Sequence, residues 1–94
     1  MIFLLLFFPI SSYAFEFDCI KDEKAALKVG EAILVSVYGE QVLAQRPFKI
    51  GSTKKSWILD GTFHCPKGQV CFGGVARVEF NKHDAQVINI EHGK

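Results

Sequence analysis

Trp57-Ile58-Leu59-Asp60-Gly61-Thr62, Gly73-Gly74-Val75-Ala76-Arg77-Val78-Glu79-Phe80 and Val87-Ile88-Asn89-Ile90-Glu91-His92-Gly93-Lys94 follow one another in the second half of the chain. Side chains alternate sides along an extended backbone, so each run divides into two faces. In the first, Trp57, Leu59, Gly61 and Phe63 oppose Ile58, Asp60, Thr62 and His64. In the second, Ala76, Val78 and Phe80 oppose Val75, Arg77 and Glu79, and in the third Ile88 and Ile90 oppose Val87, Asn89 and Glu91. One apolar and one mixed face per run is the pattern of an antiparallel sheet covered on one side. The third run closes the chain, so the cover is expected from earlier residues.

Residues 22–38 supply a candidate. Ala26, Val29, Ile33 and Val37 recur at helical spacing, with Ala25, Ala32 and Tyr38 widening the stripe, while Lys24, Lys28 and Glu31 fall towards the other side. Asp22 suits the N-cap, Glu23 the positive end of the helix dipole, and Gly39 a left-handed C-cap. Gly30 weakens the helix centre by about 1 kcal/mol relative to Ala, but allows close approach to a sheet. After a short link, Arg46-Pro47-Phe48-Lys49-Ile50 reads as a further strand, confined by Pro47 to an edge or a strand start, and residues 51–55 as a polar turn. The expected fold is α+β: one N-terminal helix packed on a curved, four-stranded antiparallel meander, a cystatin-like outline. Gly61, Gly73 and Gly74 suit a sheet that bends around the helix.

At 94 residues the chain accommodates one domain. Residues 1–8 are almost wholly apolar, Pro9 interrupts them, and Ser12-Tyr13-Ala14 places small residues where a signal peptidase reads. The apolar stretch is shorter than the ~20 residues a membrane span needs. A secretory signal cleaved after Ala14 is therefore expected, with a single domain over 15–94. No Lys or Arg precedes the apolar run, and a buried N-terminal strand or an uncleaved anchor are the alternatives. The formal net charge of +1 argues against nucleic acid, which calls for a basic stripe, and against a polybasic membrane tether. No stable membrane insertion of the mature chain is expected.

Cysteines in an exported chain are candidate disulfides. Cys65 and Cys71 flank Pro66-Lys67-Gly68-Gln69-Val70, a turn-rich stretch between two strands, and a bridge there would contribute roughly 2 kcal/mol by loop closure. That pairing is favoured. Cys19 is left to be free, to pair with a partner chain, or to compete for Cys65 or Cys71.

Catalytic patterns are weak. Asp60 and Glu79 share a face, but Arg77 and Thr62 sit among them, as on any solvated sheet. His64, His83 and His92 occupy a strand end, a turn tip and the C-terminus, without a nucleophile placed beside a base. His64, Cys65 and Cys71 lack the spacing of a common zinc finger, and an oxidising compartment favours the disulfide, so no metal or cofactor is expected. Gly73-Gly74 enters a strand and not a helix N-terminus, which excludes a phosphate loop. Trp57, Phe48, Phe63, Phe72 and Phe80 read as core before they read as a ligand pocket.

The helix closing on Tyr38-Gly39, then Pro47-Phe48, Trp57-Ile58-Leu59-Asp60-Gly61-Thr62, Gly73-Gly74-Val75-Ala76 and the close on Ile90-Glu91-His92-Gly93-Lys94 resemble the bacterial immunity proteins with a nuclear transport factor 2-like fold. The likeness covers nearly all of residues 15–94. It implies a small domain that binds a cognate polymorphic toxin and blocks it, without catalysis. The segment from His64 to Phe72 departs from the family pattern by lengthening the hairpin and adding the cysteines. The expected signal sequence places the protein in the periplasm. The expected toxin-binding surface is the solvent face of the sheet, with Asp60, Thr62, Arg77 and Glu79, together with the Cys65–Cys71 hairpin. A periplasmic small-ligand carrier or sensor with an enclosed helix–sheet pocket is the alternative. A cystatin-type protease inhibitor is a weaker one, because Gln69-Val70-Cys71-Phe72-Gly73 only loosely echoes a Gln-x-Val-x-Gly wedge.

Overall fold

The structure, a computed structural model, describes residues 18–71 and 73–93. The expected signal peptide lies outside them, as does Phe72. Helix α1 (Glu23–Tyr38) is followed by a 3-10 helix, η (Glu40–Gln45), and by strands β1 (Lys49–Ser52), β2 (Ser56–Asp60), β3 (Ala76–Asn81) and β4 (Val87–His92). The strands form one antiparallel sheet in the order β1-β2-β3-β4, the expected meander.

Helix α1 begins where the sequence places it. Asp22 has extended backbone angles, and its Oδ1 accepts a hydrogen bond from the backbone N–H of Ala25 at 2.8 Å. Gly39 ends it with φ +89° and ψ 170°, a region open only to glycine and distinct from the left-handed helical cap expected. The stripe is also displaced. Ala26, Gly30 and Leu34 form the buried line, whereas Val37 is 55% exposed. Gly30 is the reason: a Cβ there would lie 2.6 Å from Leu59 Cδ2, so the helix rests on the side that has no side chain in the way.

The core lies between α1 and the inner sheet face, where Leu34, Leu59, Val78 and Phe80 are fully buried, joined by Trp57, Phe48 and Ala76. The Trp57 indole N–H donates to the Ile20 carbonyl at 3.0 Å. The backbone N–H groups of Cys19 and Ile20 donate to the carbonyls of His83 and Lys82. These bonds strap the segment before α1 to the β3–β4 turn, and the Lys82 ammonium lies 4.7 Å from the Trp57 ring centre.

Three expectations change. Arg46 and Pro47 precede β1, and Gly51 and Ser52 belong to the strand, because the pairing with β2 runs from Lys49↔Asp60 to Ser52↔Trp57. The link after α1 is η. Strand β2 stops at Asp60, so Gly61 to His64 do not continue it; Phe63, expected inward, is 48% exposed. On β4, Ile88, expected to be covered, is 53% exposed: Phe80 registers with Val87 and Glu79 with Asn89, so a bulge leaves Ile88 without a partner on β3 and ends the alternation there.

Candidate functional site

The outer sheet face carries a row of alternating charge. Lys49 on β1 registers with Asp60 on β2, Asp60 with Arg77 on β3, and Arg77 with Glu91 on β4. Arg77 Nη1 stands 3.6 Å from Asp60 Oδ1, both side chains being well exposed. Opposite charges placed directly across strands contribute roughly 0.2–1 kcal/mol each. The row sums to zero, and within it Asp60 and Arg77 form an ion pair. A second row places Ile58 beside Glu79 and Glu79 beside Asn89. Here the Ser56 hydroxyl donates to Glu79 Oε2 at 2.7 Å, and Thr53 Oγ1 lies 2.6 Å from Ser56 Oγ. Ser56 is buried, so the Glu79 carboxylate is tied down at one side.

Asp60, Arg77 and Glu79 are therefore neighbours on one rigid face. Thr62 is not among them. Its backbone N–H donates to the Gln45 carbonyl at 2.8 Å and its hydroxyl to the Pro47 carbonyl, which turns it towards η and the start of β1. The chain leaves the sheet at Gly61, where a Cβ would collide with the Gln45 side chain.

Gln45 organises this end of the molecule and no local signal in the sequence marks it. Its Oε1 accepts from the Ala76 N–H at 2.8 Å. Because Ala76 N–H can only donate, the amide orientation follows, and Nε2 of Gln45 donates to His92 Nε2 at 3.3 Å. His92 then carries its proton on Nδ1, which donates to the Gly93 carbonyl at 2.8 Å. The His92 ring meets Tyr38 edge-on at 5.3 Å. One glutamine thus joins η, the start of β3 and the end of β4.

Between β2 and β3 runs a long connection stapled by a Cys65–Cys71 disulfide, with the two Cα atoms 5.9 Å apart. Inside the staple the Gln69 N–H donates to the Pro66 carbonyl, and Gly68 adopts φ +85° at the turn position that requires a positive angle. At its base a His64 ring nitrogen donates to the Arg46 carbonyl at 2.7 Å. The Arg46 guanidinium in turn donates to both Glu31 carboxylate oxygens, at 2.9 and 2.7 Å. Those hydrogen bonds, and then the charge of Glu31, raise the Arg46 pKa and keep it charged. Cys19 is a free, exposed thiol.

Two open grooves lie on the surface beside α1. One of about 600 Å³ lies between Leu27, Lys28, Glu31, Arg46, Pro47 and Phe48. The Arg46–Glu31 pair separates it from a second of about 420 Å³ that extends to Val35 and Leu43. No group of three metal-ligating side chains comes together among the described residues, and none of their helices is long and apolar enough to cross a membrane.

A profile described as NTF2 fold immunity protein matches residues 25–94, from α1 through β4. The chain belongs to this immunity protein family. The helix, the four-stranded antiparallel sheet and their order are its α+β, nuclear transport factor 2-like fold. The chain is also similar to the uncharacterized protein YhhH of Escherichia coli K12, with 32% identity over 78 residues. That alignment covers 82% of this chain and 59% of YhhH, so the chain spans about three fifths of that relative's length. No solved structure matches this chain significantly.

Proposed function

We propose that this protein is a periplasmic immunity protein, which neutralises a cognate polymorphic toxin by stoichiometric binding and without catalysing a reaction. The family match over residues 25–94 carries this reading. The outer sheet face supports it physically. A hydrogen-bonded sheet presents Asp60, Arg77 and Glu79 at fixed spacing, and a fixed pattern of both signs rewards a complementary partner and repels a mismatched one. The Cys65–Cys71 bridge and the apolar leader composition of residues 1–8 support export, because disulfides persist in oxidising compartments. A periplasmic site favours a toxin directed at the cell wall, the membrane or a periplasmic target.

The carrier alternative calls for an enclosed pocket between helix and sheet. Leu34, Leu59, Val78 and Phe80 fill that space. Co-expression with the toxin encoded by the adjacent gene tests the immunity reading. Cells carrying both are expected to survive; if they die as readily as cells carrying the toxin alone, the reading fails. Native mass spectrometry of the protein purified from its host would expose a carrier through a co-purifying small molecule.

A further inference from the structure

The stapled loop differs from the sheet face in what it offers a partner. On the face, the Asp60, Arg77 and Glu79 side chains already have partners within the protein. The loop presents Val70, 83% exposed, the most exposed of the large apolar side chains among the described residues. The connection between β2 and β3 runs from Gly61 to Val75 without a helix or strand among its described residues, in a domain whose other strand connections are short turns. Structureless connections of that length are uncommon in compact domains and are usually functional.

This loop is nonetheless ordered by its own bonds. The disulfide closes it, the Pro66–Gln69 turn shapes it, and His64 and Thr62 fix its base on the Arg46 and Pro47 carbonyls. A segment already held in one conformation loses little entropy on binding, so more of the free energy of burying its exposed apolar side chain appears as affinity. Lys67, beside Val70 in the staple, is exposed and has no ion-pair partner among the described residues.

We infer that the Cys65–Cys71 loop is the main affinity determinant of the complex, with Val70 entering an apolar depression on the toxin and Lys67 meeting a carboxylate at its rim. The inference rests on the immunity reading. In it the charge row of the sheet supplies discrimination between toxins, and the loop holds the complex together.

The experiment titrates the adjacent-gene toxin domain, inactivated by substitution in its own active site, into the full native protein with the disulfide intact. Binding by the native protein is expected. Val70→Asp is expected to weaken it tenfold or more at unchanged melting temperature, since the side chain is solvated in the free protein. Cys65→Ser together with Cys71→Ser is expected to weaken it in the same direction by loosening the loop. Any loss smaller than tenfold for Val70→Asp overturns the inference while leaving the immunity reading intact. The inference is likewise overturned if Ile88→Lys, on the exposed β4 edge, abolishes binding and Val70→Asp does not. Failure of the native protein to bind overturns the immunity reading and the inference with it.

Discussion

Gly30 and Leu59 meet across the helix–sheet interface so closely that a methyl group on Gly30 would stand 2.6 Å from Leu59 Cδ2 and 3.3 Å from its Cβ. Leu59 is fully buried and has nowhere to retreat. Gly30→Ala gains about 1 kcal/mol of helix propensity. Overpacking of a filled core costs about 1–3 kcal/mol, and here packing wins. The variant is expected to melt several degrees below the native protein. A rise in melting temperature would show that the helix can lift off without penalty.

The indole of Trp57 holds the segment before α1 through its bond to the Ile20 carbonyl. Trp57→Phe keeps an aromatic ring but removes the donor and leaves a buried carbonyl unpaired, at a cost of about 1–3 kcal/mol. The loss is expected to fall first on the strap, so amide exchange at Cys19 and Ile20 should quicken more than exchange in β2 and β3. Uniform acceleration across the sheet would contradict that order.

With Cys65 and Cys71 joined and Cys19 exposed, the unreduced protein is expected to react with one equivalent of a thiol reagent, and still with one after denaturation. Removing the bridge by paired Ser substitution is expected to cost about 2 kcal/mol, the loop-closure value for so short a ring. Far-UV circular dichroism should hardly change, since no helix or strand lies inside the ring. Three reactive thiols in the unreduced protein would rule the bridge out.

Asp60 and Arg77 stand 3.6 Å apart with exposed side chains, a geometry worth about 0–1 kcal/mol. Arg77→Ala is thus expected to shift the denaturation midpoint little, and less still at high salt. Its effect on toxin discrimination should be larger, because the unpaired Asp60 carboxylate then faces any partner across the row. A large stability loss would assign the pair to the fold instead of to recognition.

Much of this was legible in the chain. The N-cap Asp22, the alternation of Trp57 with Leu59 and of Ala76 with Val78 and Phe80, and the turn from Pro66 to Gln69 are short-range features that the local sequence encodes. The adjacency of Asp60, Arg77 and Glu79 also followed from alternation once the strands were paired in order. Thr62 misled because alternation continues through it on paper, whereas Gly61 lets the backbone turn onto Gln45 and Pro47. Gln45 itself sits in a polar link where nothing local distinguishes it from its neighbours.

The sequence alone determined the order of helix and strands, the inward side of β2 and β3, and which hairpin carries the cysteines, because periodicity and capping act within a few residues. Tertiary structure decided where β2 ends, which line of α1 touches the sheet, how far β4 is covered, and how Lys49, Asp60, Arg77 and Glu91 fall into one row. Each of those depends on register and on hydrogen bonds between residues far apart in the chain, and a change of one residue in pairing reverses which side chains meet.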